Sequence, residues 1–414
     1  MWKGLLVFGV TYALVARIRW LKIDRPGGAL VGAVLAVVLG ASSPSEASAA
    51  VDKSTLILLF AVMGMGAFLS IDGFFERATT RLASVARTRA RLLGAIVWGS
   101  GLFAAFVTND AVCVLAAPVV VELVRRWKLP RLPFLMALAT GANTGSVATL
   151  VGNPQNMLCA SLGRLDFASF VLHMAPVAIL GLAVNHALLA WLYRADLHGD
   201  LTEPTDDSEL PALATGPLLT GPTILTLVVI AISVVAYTAG GNLAFTALTG
   251  FALLLLLHRG SPTRVWERID WSILLFFGGL FIAVDALARS GAAAWVFERA
   301  ALFQGPPGLV SYTRTAMYFL LGSNVVTNVP FILIVKSEMG RMPNPTLAWE
   351  LLAMASTFAG NLTLLGSIAN VIVAEKARDV GGLGFKEYLR AGVPIAVATT
   401  LLGTLWLVVV RGLL

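Results

Sequence analysis

Residues 148–160, ATLVGNPQNMLCA, lie in register over residues 362–374, LTLLGSIANVIVA. Thr149/Thr363, Leu150/Leu364, Gly152/Gly366, Asn156/Asn370 and Ala160/Ala374 are identical pairs. Upstream of each block, Val107-Thr108-Asn109-Asp110 matches Val326-Thr327-Asn328-Val329. Polar, helix-breaking residues therefore recur, in one order, inside two very apolar stretches. Backbone that leaves a helix needs partners for its N–H and C=O groups, and hydrocarbon supplies none. A membrane chain carrying such breaks twice is expected to gather them at mid-depth, where interrupted helices hold a solute.

The membrane reading comes from composition. The chain is 57% hydrophobic and only 13% charged, where a soluble domain carries about a quarter charged residues. Mean hydropathy is +0.83. Apolar runs fall near 2–16, 28–43, 54–71, 92–124, 133–163, 167–193, 218–238, 243–258, 271–288, 310–336, 347–374 and 388–411. This predicts an all-α polytopic membrane protein of about ten spans. The run at 2–16 is short enough to be tilted or interfacial. Met1-Trp2-Lys3 opens an apolar segment with no small-residue cleavage site close behind, so it reads as a retained span. The net charge of +7 sits at the ends of apolar runs. There it sets topology rather than binding nucleic acid. Cys113 and Cys159 lie in apolar segments, which argues against a disulfide framework. The four histidines are scattered, no metal-ligand spacing appears, and no phosphate-binding loop is present. No cofactor is expected.

Charge clusters give the orientation. Arg17, Arg19, Lys22 and Arg25 follow the first run. Arg77, Arg81, Arg87, Arg89 and Arg91 precede residue 92, and Arg125, Arg126, Lys128 and Arg131 follow residue 124. If both clusters are cytoplasmic, the segment 92–124 goes in and comes back. Each arm would be about 15 residues, or about 22 Å, with the tip at Thr108-Asn109-Asp110. A second hairpin over 310–336 then enters from the opposite side. Broken helices follow at 133–163 and 347–374. The two halves have opposite sense, an inverted-topology repeat: residues 1–194, a cytoplasmic linker over 195–215 rich in Asp and Glu (Glu203, Asp206, Asp207 and Glu209 among them), and residues 216–414. A basic loop with His258, Arg259, Arg264 and Arg268 belongs to the cytoplasmic side.

Asp110 is the sharpest residue. It stands 19 residues after Arg91 and 15 before Arg125. An ionisable group at that depth costs at least about 2.5–3.5 kcal/mol and tends to face a cavity or partner. It is the candidate proton carrier; the structural alternative is a helix cap. Asn109, Asn328, Thr108 and Thr327 offer amides and hydroxyls at the two tips, or cap them. Gly152-Asn153-Pro154-Gln155-Asn156 must interrupt its helix, since Pro lacks a donor and Gly permits unusual φ. Gly366, Ser367 and Asn370 do the same without the proline. Asn143, Thr144 and Ser146 lead into the first break, and Asn361 and Thr363 into the second. Cys113 and Cys159 would interest a thiophilic solute, but small buried cysteines are ordinary packing.

With these motifs the chain resembles the ion transporter superfamily, in its arsenite efflux permease and sodium–proton antiporter branch, which is related to dicarboxylate carriers. The residues that carry the resemblance are Thr108-Asn109-Asp110, NTGSVATLVGNPQN over 143–156, SNVVTNVP over 323–330 and GNLTLLGSIAN over 360–370. The resemblance implies two re-entrant hairpins, two broken transmembrane helices and elevator-like movement. It also implies site residues at Thr108, Asn109, Asp110, Gly152, Asn153, Asn156, Thr327, Asn328, Gly366, Ser367 and Asn370. Dicarboxylate carriers of the superfamily show Ser-Asn-Thr at both tips; the acidic first tip here fits that branch poorly. The expectation is therefore a secondary active transporter in the cell's inner membrane, not an enzyme. It would export arsenite or antimonite in exchange for protons, with Asp110 as the coupling acid. Sodium–proton antiport and dicarboxylate transport remain the alternatives. Docking of a cytoplasmic ATPase subunit and assembly as a homodimer are left open.

Overall fold

A computed structural model describes residues 1–15, 23–201, 216–258, 260–299 and 301–412. Arg17, Arg19, Lys22, Arg259 and the linker from 202 to 215, with Glu203, Asp206, Asp207 and Glu209, lie outside the described residues. Among those described, all extended regular structure is helical. The first half holds α1 (Trp2–Val15), α2 (Arg25–Val38), α3 (Pro44–Ala50), α4 (Lys53–Ile71), α5 (Phe74–Val85), α6 (Arg89–Val107), α7 (Asn109–Arg126), α8 (Arg131–Gly145), α9 (Pro154–Gly163) and α10 (Phe167–Leu192). The second holds α11 (Gly221–Thr238), α12 (Leu243–Leu257), α13 (Pro262–Trp266), α14 (Trp271–Arg289) and α15 (Ala292–Arg299), then α16 (Leu309–Val326), α17 (Asn328–Met339), α18 (Pro345–Leu362), α19 (Ile368–Lys376) and α20 (Phe385–Val410).

Helix ends sort onto two faces. On one, Arg89 donates to the Asp196 carbonyl at 3.4 Å, Arg131 pairs with Glu387 at 3.1 Å and Arg125 pairs with Asp379. The charges of Asp196, Glu387 and Arg390 all reach Tyr193, which joins these groups into one rim. The start of α6 and the end of α7 therefore share a face, although α6 alone is 19 residues long and apolar enough to cross. On the opposite face, Ser161 donates to Asp52 at 2.7 Å, and Glu350 pairs with His173 at 2.9 Å and Arg411 at 2.7 Å. Arg289 meets Glu46 there at 2.7 Å. The second hairpin belongs to that side. Thr315 near the start of α16 donates to the Leu302 carbonyl at 3.2 Å, and α17 packs on α15, which follows Arg289. The two hairpins thus enter from opposite faces, as the charge pattern predicts.

Each hairpin turns on one residue. Thr108 has φ 101° and Thr327 has φ 71°, a region that β-branched residues rarely occupy. The broken helices differ from expectation in where they open. The sequence places the first break at Gly152–Asn156. Instead α8 ends at Gly145, a 3-10 turn spans Ser146–Ala148, and α9 begins at Pro154. Asn153 and Pro154 are a helix start, cap plus first-turn proline, so the unwound stretch precedes them. The second break repeats this, with the turn at Leu364–Gly366 and Ser367 as cap of α19. The first run is a short apolar helix of 14 residues: a Cβ on Gly4 would sit 2.5 Å from the Ala286 carbonyl, and one on Gly28 2.9 Å from Leu14 Cβ, so α1 lies along both α14 and α2.

Close approach of helices near the breaks needs glycine. A Cβ on Gly145 would fall 2.2 Å from the Gly101 backbone, and one on Gly152 2.1 Å from the Ser146 carbonyl oxygen. Around this centre α8 and α18 are buried along almost their whole length.

Candidate functional site

Unwinding leaves carbonyls without helical partners, and burying them so costs about 1–3 kcal/mol each. Asn156 covers those of the first break, with Nδ2 donating to Thr149 O at 2.8 Å and Ser146 O at 3.3 Å. Asn370 covers the second, donating to Gly360 O at 2.6 Å and Thr363 O at 3.2 Å. Asn153 caps α9 by accepting from the Asn156 amide at 2.8 Å, and Ser367 caps α19 from Ala369 at 3.2 Å.

The two breaks also hold each other. Asn143 Nδ2 donates to Asn370 Oδ1 at 2.9 Å, and Thr357 Oγ1 donates to Asn156 Oδ1 at 3.2 Å. Ser367 donates to Asn143 Oδ1 at 3.1 Å, and Asn153 donates to Thr357 Oγ1 at 3.2 Å. In the repeat register Thr357 occupies the place of Asn143, so these are crossed, reciprocal pairs. Asn361 completes the cluster, accepting from Asn143 at 3.1 Å and donating to Thr144 Oγ1 at 2.9 Å.

This lattice fixes the hairpin tips. Carbonyls only accept, so Gly360 O and Thr363 O orient the Asn370 amide. Its Oδ1 then orients Asn143, whose Oδ1 accepts from Asn109 Nδ2 at 2.8 Å. The Asn109 Oδ1 is thereby turned away without a partner. The backbone N–H of Asn109 donates to Gly152 O at 3.0 Å. At the other tip Asn328 Nδ2 donates to Gly366 O at 3.3 Å, and its Oδ1 is also unpartnered. Asp110 Oδ1, Gln155 Oε1 and Thr327 Oγ1 share that state. A group of buried oxygens therefore stands ready to accept hydrogen bonds.

A cavity of about 520 Å³, including its open mouth, lies against all of these residues except Asn109. One wall is Asp110, Pro154, Gln155, Thr327, Asn328, Gly366 and Ser367; the other is Arg25 with Phe276 and Phe277 of α14. Four helix N-termini converge on it, those of α7, α9, α17 and α19, each equivalent to about +0.5 charge. Asp110 is 7% exposed and occupies the second position of α7. Thr108, not Asp110, caps that helix, accepting from the Ala111 amide at 3.3 Å, so the capping alternative for Asp110 does not hold. Asp110 is approached by the Ala369 backbone amide, with Asp270 and Arg25 as its charged neighbours.

The sequence-derived candidates thus divide. Asp110, Thr327, Asn328, Gly366 and Ser367 line the cavity. Thr108, Asn109, Asn143, Gly152, Asn153, Asn156, Asn361 and Asn370 form the framework behind it. Cys113 and Cys159 are buried free thiols that do not line it. Sequence reasoning missed Arg25, read only as part of a topology cluster. It also missed Thr357 and Asn324, which donates to Ala359 O at 3.0 Å and Thr363 Oγ1 at 3.2 Å. Carrying the repeat register from Asn143 by the same offset as Thr149 to Thr363 would have found Thr357.

Comparison with known proteins agrees with this architecture. A family profile described as citrate transporter (CitMHS) matches residues 12–359. The chain is 30% identical to the silicon efflux transporter LSI3 of Oryza sativa subsp. japonica, covering 97% of this chain and 96% of that one. It is 26% identical to the putative transporter arsB of Dictyostelium discoideum, over 92% and 87%. The crystal structure of the Alcanivorax borkumensis YdaH transporter, described as having an unusual topology, superposes with a TM-score of 0.56 at 15% identity, covering 99% and 97%, a likeness of fold alone.

Proposed function

The chain belongs to the citrate transporter family and is a multi-pass membrane transporter; from that premise we propose that it exports arsenite or antimonite as the neutral hydroxy acid, in exchange for protons carried by Asp110. The observation that carries the reading is the set of unpartnered acceptor oxygens on Asp110, Gln155, Thr327 and Asn328 at one cavity. A solute rich in O–H groups satisfies them, while the converging helix ends suit its oxygen lone pairs. A bare cation gains from the oxygens but meets four positive helix termini and Arg25. A dianion gains from those termini and from the Thr327 hydroxyl, but meets the Asp110 carboxylate and the acceptor-only amide oxygens of Gln155 and Asn328. The neutral hydroxy acid alone fits both. The relatives' names, a silicon efflux transporter and an arsB-type transporter, point to the same class of hydroxylated metalloid.

In this proposal, solute and proton compete for the Asp110 environment, so protonation favours release. The two repeats, 1–194 and 216–414 with the linker 195–215 between them, supply one hairpin and one broken helix each. These move as one body against the helices that carry Arg25 and Phe276, in the inner membrane. A second reading, anion transport, is favoured by Arg25 and the family's citrate description.

Proteoliposome flux decides between them. Arsenite counterflow driven by an imposed pH gradient is expected for the wild type. Asp110→Asn should still bind arsenite and lose gradient dependence. Citrate flux without arsenite flux, or arsenite flux indifferent to pH in the wild type, rejects the proposal.

A further inference from the structure

Asp110 borders a second cavity besides the one described. It is about 860 Å³ including its open end and lies between α4, α7 and the segment before α14. Its inner lining is Met63, Gly66, Ala67, Ala111, Val114 and Leu115, none of which offers a side-chain hydrogen bond suited to a hydroxylated solute. Its outer end is Glu267, Arg268 and Asp270, the first two exposed. Two acids and one base leave that rim net negative. Asp270 is held in place by its own helix: Oδ1 accepts from the Ser272 and Ile273 amides at 3.0 and 3.3 Å. It also lines a third cavity, together with Asp24, Arg25 and Glu375. The Asp110 carboxylate has one oxygen without a partner. The groups whose charge reaches it are Asp270 and Arg25; along α7 its titratable neighbour is the Cys113 thiol.

We propose that protons reach Asp110 through this second cavity rather than through the one that takes the solute, with Asp270 as the positioning residue of the route. The inference rests on Asp110 being the coupling acid. An apolar passage with an acidic rim concentrates cations at its entrance and admits hydronium or a water chain. It gives a hydroxy acid nothing to bind. Focusing of this kind changes local ion supply and on-rates by about tenfold or more. Separate doors let proton and solute exchange at Asp110 without passing each other.

The test uses full-length protein in lipid, without solute. A pH jump is followed by the infrared carboxyl band that Asp110→Asn removes. Ala111→Leu narrows the passage. Asp270→Asn removes the rim charge while keeping a good helix cap, so one variant remains informative if the other does not fold. Both are expected to slow appearance of the band about tenfold and to shift the pH profile of gradient-driven flux, with arsenite binding at fixed pH unchanged. Ile368 also lines the solute cavity, and Ile368→Trp, which fills it, should lower arsenite binding and leave the band's rate alone. Wild-type rates in both Ala111→Leu and Asp270→Asn, or slowing only in Ile368→Trp, overturn this inference alone. A carboxyl band that never titrates overturns it together with the coupling role of Asp110.

Discussion

Thr357→Val is the cleanest probe of the crossed bonds between the broken helices, because it removes a hydroxyl with almost no change of shape. Thr357 Oγ1 shares its one proton between Asn156 Oδ1 at 3.2 Å and Ala353 O at 2.8 Å, and accepts from Asn153 Nδ2 at 3.2 Å. The Ala353 carbonyl lies inside α18, so losing that bond matters little. Asn153 Nδ2 keeps Ser146 Oγ at 2.8 Å. Asn156 Oδ1 keeps nothing comparable, and Asn156 is fully buried. One stranded acceptor costs about 1–3 kcal/mol, and the lower part of that range applies, since an amide oxygen retains some freedom to adjust. Reversible unfolding in mixed micelles should therefore show Thr357→Val destabilised by about 1–2 kcal/mol. Combined with Asn156→Ala, the pair should fall short of additivity by about 1 kcal/mol. Thr357→Val with Asn370→Ala shares no partner and should add to within about 0.5 kcal/mol. Equal coupling in both cycles, or a neutral Thr357→Val, refutes the idea that the two breaks hold each other by specific pairs.

Other outcomes follow from the same geometry. A left-handed β-branched residue stores about 1–3 kcal/mol; Thr108 recovers part of that as a cap, whereas Thr327 caps nothing. Thr327→Gly should therefore gain about 1 kcal/mol relative to Thr108→Gly while lowering solute affinity, as read by unfolding and binding on the same samples. Glu350→Ala strands Arg411 and His173 around a site 1% exposed; it should cost about 3 kcal/mol, the low end for a broken buried pair because Arg411 is partly in water. Gly145→Ala sets a methyl against the Gly101 backbone and should abolish monodisperse protein in size-exclusion chromatography. Burial raises the Asp72 carboxyl above its ordinary range, with His258 opposing through a hydrogen bond and its charge. The folded protein keeps that proton to higher pH than the unfolded chain, so this contribution is full below the ordinary carboxylate range and is lost as pH rises through the folded value. In denaturant titrations Asp72→Asn should lose less stability than wild type across that window.

The hairpins were legible because charge and motif speak separately. Arginines at both ends of 92–124 forbid a single crossing, and the matched Thr-Asn pairs mark both tips. The breaks were legible in existence but not in position. Asn153 and Pro154 are strong local signals of where a helix begins, while the unwound residues before them, Ser146 to Val151, carry no such signal; only the amides that reach back to them reveal it. Arg25 was hidden for another reason. A cation near the end of an apolar run looks the same whether it faces headgroups or a cavity, and only packing of α2 on α14 beneath the hairpin tips decides. Thr357 and Asn143 escaped pairing because a hydroxyl and an amide can fill one role while sharing no letter.

That mismatch has a consequence for the site. Two identical subunits inserted in opposite directions could exchange crossed contacts of this kind, but any residue they used would appear twice. One polypeptide that carries both halves is free of that restriction. Position 110 can hold an acid while its mirror at 329 holds valine, and the centre, still symmetric in its scaffolding, acquires a single chemical handedness.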